Sequence, residues 1–378
     1  MSPFVVKAIQ LLMSLSLLII LHELGHFIPA RIFKTRVEKF FLFFDVKFSL
    51  IKKKIGETTY GIGWLPLGGY VKISGMIDES MDKEQMLQPP KPWEFRSKPA
   101  WQRLIIMLGG VTVNLILGFL IYMMILFVWG KYTLSSEDLP LGLNPSPVVA
   151  ELGFQSGDQI LNVNGKTLEN VLEINKYFLL REVNEVSVKR KTGEITTISI
   201  PKNIGNRMFE SGEMFPFSPV FPAILDSVVP GSPAGLNGLK PGDKILFVND
   251  NNIADWDDFK ENMSEESKKI KLVIDRNNKS LNFEIVTSEN GTLGVYPKSD
   301  FFNFKLETLG FGESIIEGFD YGYWTLRDYI AQFKYIFTTK GASQLGGFGA
   351  IGNMFPSQWN WKGFWSSTAL VSIILAFM

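Results

Sequence analysis

Three side chains that could do metal chemistry lie together near the N-terminus. His22, Glu23 and His26 interrupt an otherwise apolar run at residues 17–27. On a helix, residues four apart lie on one face, so both imidazoles can bind one metal ion while the glutamate lies roughly 100° around the axis. In this H-E-x-x-H pattern neutral imidazoles bind Zn²⁺, the metal acidifies a water molecule, and the glutamate accepts its proton as the water attacks a peptide carbonyl. The pattern predicts zinc ligands at His22 and His26 and a catalytic base at Glu23.

The helix that carries these groups is predicted to cross a membrane. Residues 4–21 are apolar except for Lys7, Gln10 and two serines, which gives a first membrane helix at residues 1–30. Ionisable groups at the end of such a helix are costly to desolvate, and this cost favours a functional site. Two alternatives are open: histidines solvated among lipid headgroups, or a signal peptide, although no small-x-small cleavage site follows.

Composition limits the possible classes of protein. The 378 residues are too many for one compact core, so several domains are expected. Hydrophobic residues make up 46% of the chain, and 38 basic residues balance 38 acidic ones, which gives no reason to expect a nucleic-acid partner. The sequence contains no cysteine, and this excludes disulfides and cysteine-ligated metal.

A second apolar run predicts a second membrane helix at residues 100–130. The loop between the two helices, residues 31–99, is rich in lysine and arginine, whereas only Lys7 precedes the H-E-x-x-H segment. By the positive-inside rule this loop is predicted to be cytoplasmic, so the N-terminus faces outward. The chain after residue 130 is then predicted to lie on the outer side of the membrane.

The second helix contains small and polar residues that point to helix packing. Gly109, Gly110 and Gly118 would allow another helix to approach closely. Trp129, near the outer end, is predicted to anchor the helix at the interface. Asn114 is a polar group at membrane depth, and it either holds the substrate backbone or an oxyanion, or links two helices by a hydrogen bond.

Within the basic loop, residues 58–74 combine β-forming residues with Pro66, Gly68 and Gly69. This pattern predicts a β-hairpin with a glycine-rich bend. Its aromatic and apolar content favours a membrane-associated hairpin that turns back toward the metal, with one edge pairing with an extended substrate near Gly68, Gly69 and Tyr70. The alternative is an ordinary solvated hairpin.

An internal repeat follows the second helix. Residues 153–165 match residues 238–250 at a constant offset, each copy with a G-D-x-I-L-x-V-N segment. Each copy continues into a helical stretch and then into alternating strands, which predicts two similar small α/β domains, at 131–204 and 215–299. The Gly-Asp turns themselves either help to bind a peptide or only set the register of the following strand.

The last part of the chain changes character again. Residues 319–337, within a segment at 308–361, are rich in aromatic residues with scattered charges, which predicts an amphipathic helix on the outer membrane face. Residues 347–352 spell G-F-G-A-I-G, but no strand precedes them, so a dinucleotide site is discounted. Residues 362–378 begin a third apolar helix that is too short to span a bilayer.

Four segments together resemble one family. They are H-E-L-G-H at 22–26, G-I-G-W-L-P-L-G-G-Y-V-K-I-S-G at 61–75, G-G-V-T-V-N at 109–114, and the tandem G-D-x-I-L-x-V-N units. This combination is similar to the site-2 class of intramembrane zinc metalloproteases, and within it to the bacterial regulator-of-sigma-E proteases. The tandem units look like PDZ domains. The resemblance covers nearly the whole chain.

The resemblance implies a multi-pass α-helical membrane protein of the bacterial inner membrane, with a membrane-associated β-hairpin and two tandem PDZ-like domains in the periplasm. Its expected activity is cleavage of the membrane spans of single-span proteins, such as anti-sigma factors or signal-peptide remnants, with the PDZ pair acting as a size filter. His22 and His26 match the family's zinc ligands, and Glu23 matches its catalytic base. The bend at Gly68 and Gly69 matches its substrate-pairing loop.

One departure concerns the third zinc ligand. The family takes it from an aspartate in an N-x-x-P-x-x-x-L-D-G segment, and no such segment occurs here. Asn353 and Pro356 have the first spacing without the L-D-G, and they are not assigned. A catalytic zinc needs three protein ligands, so the third is expected beyond Met378, in a longer chain. The alternative function is a non-catalytic outer-face PDZ scaffold that binds envelope proteins.

Overall fold

The computed structural model describes residues 2–66, 68–76, 89–263, 269–298, 302, 304–336 and 348–377. Parts of the predicted loop at 31–99 and of the segment at 308–361 therefore lie outside the described residues. The chain forms two compact units. One, the helical unit, comprises Met1–Lys131 and Thr308–Met378, and the other, the repeat unit, comprises Tyr132–Glu307.

The described helices and strands are named here in chain order. The helices are α1 (Pro3–Ile32), α2 (Ala100–Trp129), α3 (Pro147–Ala150), α4 (Ile174–Leu180), α5 (Ile204–Ser211), α6 (Pro233–Leu236), α7 (Trp256–Glu261), α8 (Phe311–Ile336), α9 (Phe348–Asn353) and α10 (Trp361–Phe377). The strands are β1 (Val37–Leu42), β2 (Phe44–Ile55), β3 (Thr58–Leu65), β4 (Tyr70–Ile73), β5 (Lys131–Thr133), β6 (Leu143–Pro145), β7 (Gln159–Val163), β8 (Glu185–Lys189), β9 (Ile195–Ser199), β10 (Phe217–Pro219), β11 (Leu225–Val228), β12 (Lys244–Val248), β13 (Asn251–Asn252), β14 (Lys269–Arg276), β15 (Lys279–Val286), β16 (Val295–Pro297) and β17 (Lys305–Glu307). Short 3₁₀ turns occupy Phe95–Ser97, Ser136–Asp138 and Val171–Glu173.

Helices α1 and α2 confirm the two long apolar helices predicted from the sequence. Each has 30 residues, and both are long and apolar enough to cross a membrane. Ser2 caps α1 by accepting a hydrogen bond from the backbone N–H of Val5, and Pro3 takes the first helical position, where its missing N–H costs nothing. Gly130 ends α2 with a φ of +66°, a backbone conformation that glycine adopts at no steric cost.

Helix α2 is the element on which the other long helices of this unit pack. It runs antiparallel to α1, because His26 contacts Ile106 while His22 contacts Asn114. Helix α10 packs on another side, where Ser372 donates a hydrogen bond to the backbone carbonyl of Asn114 at 2.7 Å. The predicted apolar helix at 362–378 is therefore present as α10, a 17-residue helix.

Helix α8 contains residues 319–336 of the helix predicted at 319–337, and its place at the outer membrane face stays a prediction. Gly318 lies against the backbone of Met123, and Gly322 lies against the ring of Phe119. Residue numbers rise along α8 as they fall along α2, so α8 packs antiparallel on a candidate membrane span. The reason is the pair of glycines four residues apart, which lets the two helices approach closely.

The hairpin predicted at residues 58–74 does not form between its two strands. The sheet has the order β2-β3-β1-β4, so β1 lies between β3 and β4. Strand β1 pairs with β3 in parallel, with Lys39 opposite Thr59, and with β4 antiparallel, with Phe41 opposite Tyr70. The strands predicted on either side of the bend are present as β3 and β4. The strands with which they pair come from earlier in the chain. The hairpin that does form joins β2 and β3.

In the repeat unit, the first copy of the repeat builds its own core around the sheet β7-β8-β9. The core continues past the predicted boundary at residue 204, because Met208 of α5 and Phe217 of β10 are fully buried in it. The predicted domain at 131–204 was therefore too short. The repeated sequence pattern ends before α5 and β10. Nothing in that pattern therefore predicted that these two elements belong to the same core.

The second copy builds a separate core around the sheet β13-β12-β14-β15. The two copies share a buried ion pair at the Gly-Asp turn. Asp158 binds Arg190 at 2.6 Å, and Asp243 binds Arg276 at 2.6 Å. Each aspartate also accepts a backbone N–H three residues earlier, from Gln155 in the first copy. These turns therefore fix the start of β7 and β12.

The G-F-G-A-I-G segment is the last element with a sequence prediction. Residue 347 lies outside the described residues, and residues 348–353 form helix α9. A dinucleotide fingerprint needs a strand that leads into a glycine-rich turn before its helix. The segment contributes a short helix that packs against α1 near Leu11.

Candidate metal site

The imidazoles of His22 and His26 converge on one side of α1. Their Nε2 atoms lie 3.2 Å apart, and their ring centroids are 4.9 Å apart with a steep interplanar angle of 76°. Two ring nitrogens at this separation point toward a common position, as ligands of one metal ion do. The spacing of four residues was the sequence signal for this arrangement, and the structure brings both side chains together.

The other nitrogen of each imidazole is held by helix α2. The Nδ1 atom of His26 lies 2.7 Å from the backbone carbonyl of Ile106, to which only a protonated nitrogen can donate. A neutral His26 therefore carries its proton on Nδ1, and the lone pair of its Nε2 faces Nε2 of His22 at 3.2 Å, where it can accept a hydrogen bond or bind a metal ion. A backbone carbonyl that orients a histidine in this way is a common support for metal ligands.

Asn114 supports His22 in the corresponding position. It is 1% exposed, and its side-chain amide lies 3.2 Å from Nδ1 of His22. As placed, Nδ2 donates to that nitrogen, and Oδ1 has no hydrogen-bond partner among the described residues. A half-turn of the amide would bring Oδ1 to Nδ1, so that His22 donates and its Nε2 also gains a free lone pair. The residues present therefore fit two ligands of a metal ion.

Glycines shape the space around the two imidazoles. A Cβ atom at Gly110 would lie 2.6 Å from Nε2 of His22 and would also collide with Nε2 of His26. Gly25 and Gly109 face one another so closely that a Cβ atom on either would strike the backbone of the other. The close helix approach predicted at Gly109 and Gly110 is confirmed. The position of Gly110 as a wall of the candidate metal site was not predicted from the sequence.

Pro29 contributes to the same crossing point. It lies inside α1 and has no N–H, so the carbonyl of Gly25, four residues earlier, lacks its usual helical donor. That carbonyl is the atom that faces Gly109. The two helices can therefore approach at the point where both imidazoles turn toward α2. A proline four residues after a glycine was a signal for this feature that the sequence analysis did not use.

The glycine-rich bend before β4 reaches the metal helix at one residue. A Cβ atom at Gly69 would lie 2.6 Å from a methyl group of Ile19 and 3.6 Å from Cγ of Glu23. Gly68 instead lies against the ring of Phe44. The structure therefore brings Gly69 to the predicted catalytic base and places Gly68 against the sheet.

Tyr70 makes several contacts within the sheet. Its hydroxyl donates to Asp45 at 2.9 Å, and its ring stacks on Phe41 and Phe44. These contacts hold the start of β4 on the sheet. The side chain of Tyr70 thus supports the strand.

The third ligand is the remaining part of the site. The described residues contain no group of three or more His, Cys, Asp or Glu side chains that could hold a metal ion. Asn353 accepts a hydrogen bond from Lys7, and the carbonyl of Pro356 accepts one from Gln10. Both residues thus contact the first turns of α1, and the histidines lie farther along that helix. This placement agrees with leaving them unassigned.

Comparison with known proteins shows the family. The model of peptidase family M50 matches residues 10–378. The chain is 29% identical over 298 residues to a protein of Borreliella burgdorferi named "Putative zinc metalloprotease", covering 75% of this chain and 64% of that one. It is 33% identical over 208 residues to a protein of the same description from Campylobacter jejuni, covering 53% and 51%.

A third relative carries a more specific name. The chain is 27% identical over 308 residues to the "Regulator of sigma E protease" of Haemophilus influenzae, covering 76% of this chain and 65% of that protein. The chain thus spans between half and two thirds of the length of these three relatives.

Proposed function

This chain belongs to peptidase family M50, and on that premise we propose that it carries the catalytic helix of a zinc endopeptidase that cleaves peptide bonds inside the membrane. The observation that carries the proposal is the convergence of His22 and His26, with Nε2 atoms 3.2 Å apart, on a helix apolar enough to cross a bilayer. Ionisable groups on such a helix, here half-buried, are costly unless they serve a site.

The residues of the site have separate roles in this proposal. His22 and His26 hold Zn²⁺, which when bound makes a water molecule nucleophilic and polarises the peptide carbonyl. Glu23 accepts the proton of the water and passes it to the leaving amine nitrogen. Asn114 and the carbonyl of Ile106 orient the two imidazoles through their Nδ1 atoms. A catalytic zinc takes three protein ligands, so the proposal requires one more carboxylate or imidazole.

The edge of the sheet offers a way to present a substrate. Strand β4 is the last strand in the order β2-β3-β1-β4, so in the described sheet it is paired only with β1. The bend that leads into it passes Glu23 at Gly69. A helical substrate keeps its carbonyls hydrogen-bonded, and it must become extended before attack. We propose that the extended segment pairs near Gly68 and Gly69, with Tyr70 holding the strand in place.

The substrates are proposed to be single-span membrane proteins, such as anti-sigma factors or signal-peptide remnants, in the bacterial inner membrane. Support for the orientation comes from the cations at residues 31–99, which favour a cytoplasmic loop and a periplasmic repeat unit. Support for PDZ-like domains in that unit comes from the two separate cores and the shared Asp–Arg pair. Such domains would limit the size of the substrate's outer part.

A second function, a non-catalytic scaffold, rests on the same two cores of the repeat unit. A scaffold needs the repeat unit and has no use for Glu23, whereas the protease needs both. Measuring cleavage and binding separately therefore distinguishes the two functions.

The test is cleavage of a membrane-spanning reporter by the protein expressed from its own gene. Glu23→Gln keeps the shape of the side chain and removes the base, so cleavage should fall by about 10²–10⁴-fold while reporter binding persists. Glu289→Gln, at an exposed position of the repeat unit, serves as the matched control and should cleave normally. Equal cleavage by the Glu23 variant and the control would show that the mechanism is wrong, and absence of cleavage by every form would favour the scaffold.

A further inference from the structure

The hairpin of β2 and β3, residues 44–65, exposes large apolar side chains. Phe48, Leu50, Ile51 and Ile55 are each 57–65% exposed, and Trp64 is 42% exposed. A soluble surface rarely shows so many large apolar groups on one short hairpin. This hairpin is called the lysine hairpin below, for the cations that lie among these side chains.

Two of the aromatic rings are fixed in place. Phe48 and Trp64 stack with centroids 5.8 Å apart and an interplanar angle of 8°. The indole N–H of Trp64 donates to the carbonyl of Val46 at 2.7 Å. The indole is thus held with its polar atom satisfied and its ring partly open. Tryptophan in this state favours the boundary between lipid headgroups and acyl chains.

The cations on the hairpin are Lys47, Lys52, Lys53 and Lys54, all exposed. In the part of the chain that the structure describes, none of them forms an ion pair. The pairing register explains why. Lys52, Lys53 and Lys54 lie opposite Gly61, Tyr60 and Thr59 on β3, and none of these is acidic.

The two acids nearest in sequence are already bound elsewhere. Asp45 accepts hydrogen bonds from Tyr70 at 2.9 Å and from Ser49 at 3.3 Å. Glu57 forms an ion pair with Arg36 at 3.8 Å. The lysine hairpin therefore presents four cations among apolar side chains, and its own acids do not neutralise them.

The position of the sheet brings this surface to a membrane. Strand β1 starts at Val37, five residues after α1 ends at Ile32, and α1 is a candidate span. Side chains alternate across a strand, so Ile51, Lys53 and Ile55 share one face of β2. An aliphatic side chain on either side of a lysine suits an interface with acyl chains below and phosphates above.

We propose that the lysine hairpin binds anionic phospholipid headgroups. Lys52, Lys53 and Lys54 contact the phosphates, and the apolar side chains enter the headgroup boundary beside them. Charge complementarity selects this ligand, because zwitterionic headgroups bring no net charge to four unpaired lysines. The inference needs the helical unit in a membrane and does not depend on proteolytic activity.

The test places a reporter on the hairpin. The chain has no cysteine, so Ile51→Cys provides a single site for an environment-sensitive fluorophore on the full chain in nanodiscs. Quenching by phosphatidylglycerol with a nitroxide headgroup is compared with quenching by phosphatidylcholine carrying the same group at equal mole fraction. The anionic lipid should quench the fluorophore at least about twofold more strongly than the zwitterionic lipid. Adding about 0.5 M NaCl should remove most of this difference, because at that concentration charges are screened within about 3–5 Å.

A triple substitution of Lys52, Lys53 and Lys54 to Gln should bring the two lipids to equal quenching. Its matched control replaces Lys166, Lys189 and Lys279, exposed lysines of the repeat unit, by Gln and should keep the preference. Equal quenching by both lipids in the labelled Ile51→Cys chain with all its lysines intact would overturn the proposal. So would absence of quenching by either lipid, which would leave the surface to a protein partner. The salt titration uses this same labelled chain, so it decides even if the triple variant fails to fold.

Discussion

Polar groups are paired differently in the two units of the molecule. In the repeat unit, Asp158 and Asp243 each bind an arginine at 2.6 Å and accept a backbone N–H at 2.8 Å. In the helical unit, His22 and His26 turn their Nε2 atoms toward each other, and Oδ1 of Asn114 has no partner among the described residues. A buried group that is fully paired holds a fold, whereas one with an unused lone pair is costly unless it binds something.

The comparison therefore separates two kinds of motif within one sequence. The aspartates of the G-D-x-I-L segments have a structural role, because each fixes a turn and binds an arginine, Arg190 just after β8 or Arg276 at the end of β14. We propose that the H-E-x-x-H segment is functional, because its two imidazoles converge and α2 orients both of them. Substitutions in the two places should differ in what they damage.

The largest expected effect lies in the repeat unit. Asp243→Asn leaves Arg276, whose pKa the carboxylate raises through its hydrogen bonds, without its ionic partner. Breaking a buried ion pair on one side should lower the free energy of unfolding of that copy by about 3 kcal/mol. Hydrogen exchange of β12 and β14 in the full chain measures the loss, while zinc content should stay unchanged. Asp250→Asn, at an exposed position, is the control.

If Asp243→Asn reduced zinc binding without changing stability, the distinction between the two units would be wrong, because the Gly-Asp turn would then contribute to the metal site.

The next effect lies in the helical unit. Gly110→Ala adds a methyl group where it meets Nε2 of His22 at 2.6 Å, so both imidazoles must move. A displacement of about 1 Å at a reacting centre costs on the order of 10²-fold in rate. Reporter cleavage should fall by that factor while the helical content by circular dichroism is retained. Gly312→Ala, where an added Cβ atom meets nothing within 4 Å, is the matched control.

If Gly110→Ala and Gly312→Ala were equally active, the wall that Gly110 forms would have no part in the site.

The smallest effect is a pH dependence in the repeat unit. Hydrogen bonds from Ser135 and Lys305 hold the pKa of Asp138 below its ordinary value. Because the folded state binds the proton less tightly than the unfolded state, the carboxylate stabilises the fold above the ordinary aspartate pKa of about 3.9, and this stabilisation is lost as the pH falls through the lowered pKa.

Asp138→Asn should therefore unfold more readily at neutral pH, and the difference from the unsubstituted chain should shrink toward pH 2. Unfolding curves at a series of pH values measure it. A difference that grows as the pH falls would contradict the assignment.

Much of the site was predictable from local sequence. Hydropathy predicted α1 and α2, because the thickness of a bilayer sets the length of an apolar helix that crosses it. The spacing of His22 and His26 predicted that their imidazoles converge, because four residues make about one helical turn. Both features depend on residues that are neighbours along one helix, where periodicity carries the geometry directly.

The rest depends on contacts between distant segments. The strand order β2-β3-β1-β4 could not be read from residues 58–74, since the partner of each strand is β1. The hydrogen bond between His26 and the carbonyl of Ile106 could not be predicted, because any residue at position 106 has a backbone carbonyl. The packing of α8 did have a signal, Gly318 and Gly322 at a spacing of four, which was outweighed by the charged and aromatic residues around it.

The most direct test of the central claim is the zinc content of the purified protein, expressed from its own gene. The sequence contains two histidines, and both lie in the H-E-x-x-H segment. The account predicts about one zinc ion per chain, lost when His22 and His26 are replaced together by Ala and retained in Gly312→Ala. A full complement of zinc in the double variant would show that the metal binds elsewhere, and the assignment of this helix as the metal site would be wrong.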